Sequence, residues 1–210
     1  MMTLSLDEIM NASPVMPVIV IEDAAQAPEL ASALYEGGIK TIEVTLRTPA
    51  ALDAIKAIAV SVPQICVGAG TILTAAQAQQ AVDAGARFGV SPGSTSKLVS
   101  ETASAGLPIL YGAQTVSEMM SLAEQGYTHL KFFPASASGG PSFLKSIHSP
   151  LPQLTFCPTG GISLQTAPDW LGLANVGCVG GSWLAPAQHI REGRFDLIKE
   201  QAEQAARLSS

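Results

Sequence analysis

Charged residues are scarce in this sequence, at 13% of the chain, and they form no basic run. With 11 Lys and Arg against 17 Asp and Glu, the formal net charge is −6, so neither nucleic acid nor an anionic membrane surface is an expected partner. Cysteine is rarer still. Cys66, Cys157 and Cys178 show no CxxC spacing, and an odd number speaks against a closed disulfide framework. Each lies in an apolar run that reads as a strand, so reduced core thiols are expected. His129, His148 and His189 lack ligand spacing, so no metal is expected, and no other cofactor is implied. The absence of a P-loop removes support for NTP-dependent chemistry. No apolar stretch reaches bilayer-spanning length, and Asp7 and Glu8 do not fit the opening of a signal peptide. A soluble cytoplasmic protein is expected.

What the chain has is apolar residues, 47% of 210, enough to build one well-packed domain with much of it core. Short apolar runs predict strands at 15–21, 39–46, 65–69, 88–91, 108–111, 127–134, 154–157 and 176–179. Helical spacing predicts helices at 24–36, 49–60, 95–105, 116–125 and 195–208, with another from Thr74 to Gly85 and room for one at 142–147. A short leading helix at 4–10 carries Ser5 and Glu8 as a capping box. The helix–glycine–strand phrases ending at Gly85, Gly106 and Gly126 recur about every 20 residues, compatible with βα units. Strands buried on both faces and alternating with helices indicate a single-domain parallel (β/α)8 barrel over residues 1–210. A doubly wound sheet is disfavoured because no GxGxxG follows the first strand.

The organising residue is Lys131, set between Leu130 and the pair Phe132-Phe133. A buried ammonium costs several kcal/mol without a partner, so a lysine here meets a carboxylate, reaches water at the strand end, or becomes a neutral amine able to form Schiff bases. Barrels gather reactive groups at the C-terminal ends of their strands. Those ends hold Glu43, Arg47, Thr71, Pro92-Gly93, Lys131 and Phe133, then Thr159-Gly160-Gly161 and Gly180-Gly181-Ser182. Alternation turns Glu43 away from Ile42 and Val44, toward the interior, as an ion-pair partner of Lys131 or a general acid/base. Arg47 fits a carboxylate bidentately with Thr71 adding a hydroxyl, or is a rim arginine paired to a helix acid. The two glycine pairs fall where barrels bind phosphate, and favour that over simple tight turns. Met119, Met120 and Leu122 read as core packing.

Several stretches resemble one known family. They are Pro17-Val18-Ile19-Val20, Ile42-Glu43-Val44-Thr45-Leu46-Arg47-Thr48, Val67-Gly68-Ala69-Gly70-Thr71 and Ser91-Pro92-Gly93, followed by Lys131-Phe132-Phe133-Pro134-Ala135, Cys157-Pro158-Thr159-Gly160-Gly161-Ile162 and Gly180-Gly181-Ser182-Trp183-Leu184. In order and over nearly the whole chain, they resemble the 2-keto-3-deoxy-6-phosphogluconate (KDPG) aldolase family. That family is a class I aldolase on a (β/α)8 barrel, usually a homotrimer, also acting on 4-hydroxy-2-oxoglutarate (KHG). The resemblance implies Lys131 as the Schiff-base lysine and Glu43 as the proton-transfer residue. It implies Arg47 and Thr71 on the substrate carboxylate, Pro92 and Phe133 shaping the pocket, and Thr159, Gly160, Gly161, Gly181 and Ser182 toward the phosphate of a small keto-acid sugar. An aldolase preferring the galactonate epimer or a non-phosphorylated keto acid, or a phosphate-binding barrel without Schiff-base chemistry, is the alternative. One departure stands out. Tyr111-Gly112-Ala113-Gln114-Thr115 replaces the family's usual Pro-Gly-Ile-Ser-Thr after strand five, so Tyr111 and Gln114 are expected to affect which aldehyde portion is accepted.

Overall fold

The computed structural model describes residues 4–208. Eight strands occur among them: β1 (Val15–Ile19), β2 (Thr41–Thr45), β3 (Cys66–Gly70), β4 (Gly89–Val90), β5 (Ile109–Ala113), β6 (His129–Phe132), β7 (Thr155–Pro158) and β8 (Val179–Gly181). The helices are α1 (Leu6–Met10), α2 (Ala27–Glu36), α3 (Ala51–Ser61), α4 (Ala75–Asp83), α5 (Ser96–Thr102), α6 (Val116–Glu124), α7 (Gly140–Ile147), α8 (Ala167–Leu171), α9 (Ala187–Arg191) and α10 (Phe195–Ala206). All strand pairs are parallel, in the order β7-β6-β5-β4-β3-β2-β1-β8. Bridges from Phe156 to Val176 and from Thr159 to Gly180 bring β7 to β8 and close the ring. The expected single-domain (β/α)8 barrel is the fold.

Local chemistry sets the boundaries. Ser5 and Glu8 form the capping box of α1, while the Thr74, Thr95 and Thr115 side chains accept the first backbone N–H groups of α4, α5 and α6. Gly85, Gly106 and Gly126 follow α4, α5 and α6 with positive φ, the left-handed step that ends a helix and releases the next strand.

Alternation sorts side chains into two cores. Outward residues such as Ile19, Val44, Leu130 and Phe132 pack on the helices, and Phe132 stacks on Phe143 of α7 with ring centroids 5.2 Å apart. A side chain buried this fully contributes ~1.5–3 kcal/mol. Inward residues Met16, Cys66, Phe88, Val90, Leu110, Cys157 and Cys178 fill the barrel, and Ile9 and Met10 of α1 plug its N-terminal end. The cysteines are free and buried, and burial pushes the Cys66 thiol up to about 11.

Three expectations need correction. β5 runs two residues past its predicted end, through Gly112 and Ala113, because β6 pairs with it as far as Ala113–Phe132. β8 lies at 179–181 rather than 176–179, so Gly180 and Gly181 are strand residues, not a loop. Met119 and Leu122 are core, but Met120 is 48% exposed, on the solvent side of α6.

Candidate active site

Because Leu130 and Phe132 face the helices, Lys131 must face the barrel interior. It is 4% exposed, and Glu43, reaching in from β2, is 1% exposed. Their charged atoms, Lys131 Nζ and Glu43 Oε1, lie 3.5 Å apart. Each group offsets the desolvation of the other. The room for them comes from missing side chains. A Cβ on Gly70 would fall inside the Glu43 carboxylate, and one on Gly112 would fall on the Pro92 backbone. Gly112 is also the in-register neighbour of Lys131 on β5, so the loop after β4 folds in close beside the lysine. The Phe133 ring completes this wall, its centroid 5.4 Å from Lys131 Nζ.

Thr71 follows β3 with φ +60, the only described non-glycine residue with positive φ. For a β-branched residue this is a strained conformation of the kind that collects at functional sites. Its hydroxyl accepts a hydrogen bond from Arg47 Nε at 3.1 Å, which leaves the rest of the guanidinium fork free to face an anion.

Above this layer a cavity of about 310 Å³ opens, lined by Arg47, Phe133, Thr159, Gly160, Gly161 and Ser182, with Val18, Val20, Ile162 and Gly180. The carbonyls of Thr159 and Gly160 accept from Ala135 and Ser136 N–H, and Gly161 O accepts from the Ser136 hydroxyl. Gly160 and Gly161 both have positive φ, and among the described residues their own N–H groups have no protein acceptor. Successive unpaired amides in that conformation suit a phosphate. Gly180 lines the cavity because it stands against Thr159 with no space for a Cβ, whereas Gly181 faces the other way, under the Trp183 ring. Val18 escaped sequence reading, although its register with Glu43 puts it on the same inward face. Among the described residues, no cluster of His, Cys, Asp and Glu fits a metal ion.

The family model for KDPG and KHG aldolase matches residues 6–201. The chain belongs to the KDPG/KHG aldolase family. It is 49% identical over 201 residues to the 2-dehydro-3-deoxy-phosphogluconate aldolase of Pseudoalteromonas atlantica, covering 96% of this chain and 94% of that protein. The KHG/KDPG aldolase of Escherichia coli is 45% identical over the same shares of the two chains. The KDPG aldolase of Legionella pneumophila, solved with pyruvate captured at low pH as a covalent carbinolamine intermediate, superposes with a TM-score of 0.93 at 44% identity, covering 95% of this chain and 97% of that one.

Within this KDPG/KHG aldolase fold the Tyr111 departure is not a pocket feature. Tyr111 faces outward and is 1% exposed, with its hydroxyl 2.6 Å from Thr102 Oγ1 of α5 and its ring edge-on to Tyr127. Burial pushes the phenol up, with the Thr102 hydrogen bond pulling down. Gln114 is exposed, its backbone N–H given to Glu118 in the first turn of α6, and it is not among the cavity's lining residues. Tyr111→Phe is therefore expected to leave the ratio of kcat/KM between competing substrates unchanged while lowering stability by about 1 kcal/mol, read by urea denaturation. A changed substrate ratio would return Tyr111 to the pocket. Arg47→Ala is expected to raise KM for the keto acid about 10- to 100-fold with kcat altered less, since a charged hydrogen bond contributes ~1.5–3 kcal/mol. An unchanged KM would remove Arg47 from carboxylate binding.

Proposed function

We propose that the chain is a class I aldolase cleaving KDPG to pyruvate and glyceraldehyde 3-phosphate, and KHG to pyruvate and glyoxylate. The observation that carries this reading is the Lys131–Glu43 pair, buried and 3.5 Å apart, beneath a cavity with a guanidinium and unpaired glycine amides at its rim. Lys131 attacks the C2 ketone to give a carbinolamine, and loss of water gives an iminium. Glu43, through a water, takes the C4 hydroxyl proton, and the C3–C4 bonding electrons move into the iminium to leave an enamine. The aldehyde departs, C3 is reprotonated and hydrolysis frees pyruvate and the lysine. Arg47 and Thr71 hold the carboxylate, with Pro92 and Phe133 as walls. Thr159, Gly160, Gly161 and Ser182 serve the phosphate end, and Gly181 serves it only by spacing β8.

The homotrimer implied by the family extends this reading. Val116 and Met120 are exposed apolar side chains four residues apart on one face of α6, which a subunit contact there would cover. Light scattering at the mass of one chain would remove the trimer. A cytoplasmic enzyme is consistent with the finding that no described helix is long and apolar enough to cross a membrane.

Borohydride reduction with pyruvate, followed by peptide mass mapping, tests the chemistry. A reduced pyruvyl adduct on Lys131 is expected, together with pyruvate release from KDPG in a coupled assay. A folded protein with no adduct belongs to the barrels without Schiff-base chemistry, and Lys131 is then only an ion-pair residue.

A further inference from the structure

Lys131 has two in-register neighbours in the sheet, and they are unlike. On β5 it meets Gly112, which has no side chain. On β7 it meets Cys157, which shares its inward face and is 2% exposed. Residues in register on adjacent parallel strands lie about 5 Å apart, so the thiol is the one side chain that flanks the lysine from a neighbouring strand. That thiol is itself held. Thr159 Oγ1 lies 3.9 Å from its sulfur, and Cys178 is buried in the same inward cluster. The neighbouring Cys178 thiol and the Lys131 charge hold the Cys157 thiol below its usual range, while Cys157 and burial push Cys178 well up. The sulfur beside the lysine is polarisable and a weak hydrogen-bond acceptor. The aldol chemistry does not use it.

We propose that Cys157 is a positioning residue for the Schiff-base lysine: its sulfur fills the one occupied flank of Lys131 and fixes where Nζ meets the incoming ketone. The inference rests on the Schiff-base reading above. Glu43 restrains Nζ from β2 and Phe133 covers it from the cavity side, so loss of the sulfur frees the lysine toward β7 alone. A displacement of about 1 Å at a reacting atom can cost on the order of 10²-fold in rate. Substrate binding depends on Arg47 and the glycine amides and is not disturbed by that displacement.

Cys157→Val removes the polar acceptor and leaves an apolar side chain about one methyl group larger, while Cys157→Ser keeps an acceptor in a smaller side chain. The readouts are the single-turnover rate of pyruvate trapping by borohydride, and kcat and KM for KDPG. Expected for Cys157→Val is a fall of about tenfold or more in trapping rate and in kcat, with KM within about twofold of wild type. Cys157→Ser is expected to recover most of that rate. Trapping by Cys157→Val at the wild-type rate overturns the proposal, as does a serine variant as slow as the valine one. If Cys157→Val does not fold, Cys157→Ala takes its place with the same outcomes. Failure of the Schiff-base reading is separate, because wild-type protein then traps no pyruvate at all.

Discussion

Lys131→Met is expected to abolish aldol cleavage, by at least about 10⁴-fold in kcat, and to destabilise the barrel in the same step. The activity loss follows because no other amine is available to the interior. The described inward faces carry thiols, hydroxyls, aromatic rings and one carboxylate besides Lys131. The stability loss follows because Glu43, 1% exposed, keeps its carboxylate but loses its partner at 3.5 Å. Breaking one side of a buried ion pair typically costs about 3–5 kcal/mol. The two effects separate in a double variant. Lys131→Met with Glu43→Gln removes both charges, so it should recover much of the lost stability and none of the activity. Denaturant midpoints on the single and double variants, with the coupled pyruvate assay, check this. If the double variant is no more stable than Lys131→Met, the two groups are not energetically coupled. Residual cleavage in Lys131→Met would require a different nucleophile.

Glu43→Gln carries the second large effect, about 10²- to 10⁴-fold in kcat, the range for loss of a positioned acid/base. Its amide still reaches Lys131 from β2, so the lysine stays oriented and trapping of pyruvate should outlast turnover. That split locates Glu43 in proton transfer rather than in amine attack. If trapping and turnover fall together, Glu43 acts on the amine before carbon–carbon cleavage. If neither falls, the carboxylate is structural.

Much of this site was legible because strand alternation is rigid. A lysine between Leu130 and Phe132 and a glutamate between Ile42 and Val44 had to share the face opposite those aliphatics. The adjacency of Arg47 and Thr71 was legible too, since both follow neighbouring strands. What was not legible turned on register and on the two meanings of glycine. Tyr111 sat at the apparent end of a strand, and only pairing with β6 extends β5 and turns the phenol onto Thr102. Gly180 and Gly181 resemble a turn by composition, yet they serve close packing, one against Thr159 and the other under Trp183. Met120 fits a helical stripe whose burial depends on which neighbouring helices reach it, which no local pattern records.

The α1 plug has a kinetic consequence. With Ile9 and Met10 shutting one end of the barrel, traffic in both directions uses the opposite mouth. In the proposed reaction the carbon skeleton tethered to Lys131 is then the innermost fragment, with the aldehyde between it and solvent. Departure must be sequential, aldehyde before pyruvate. In the condensation direction the keto acid must load first, so an aldehyde arriving early blocks the channel as a dead-end competitor.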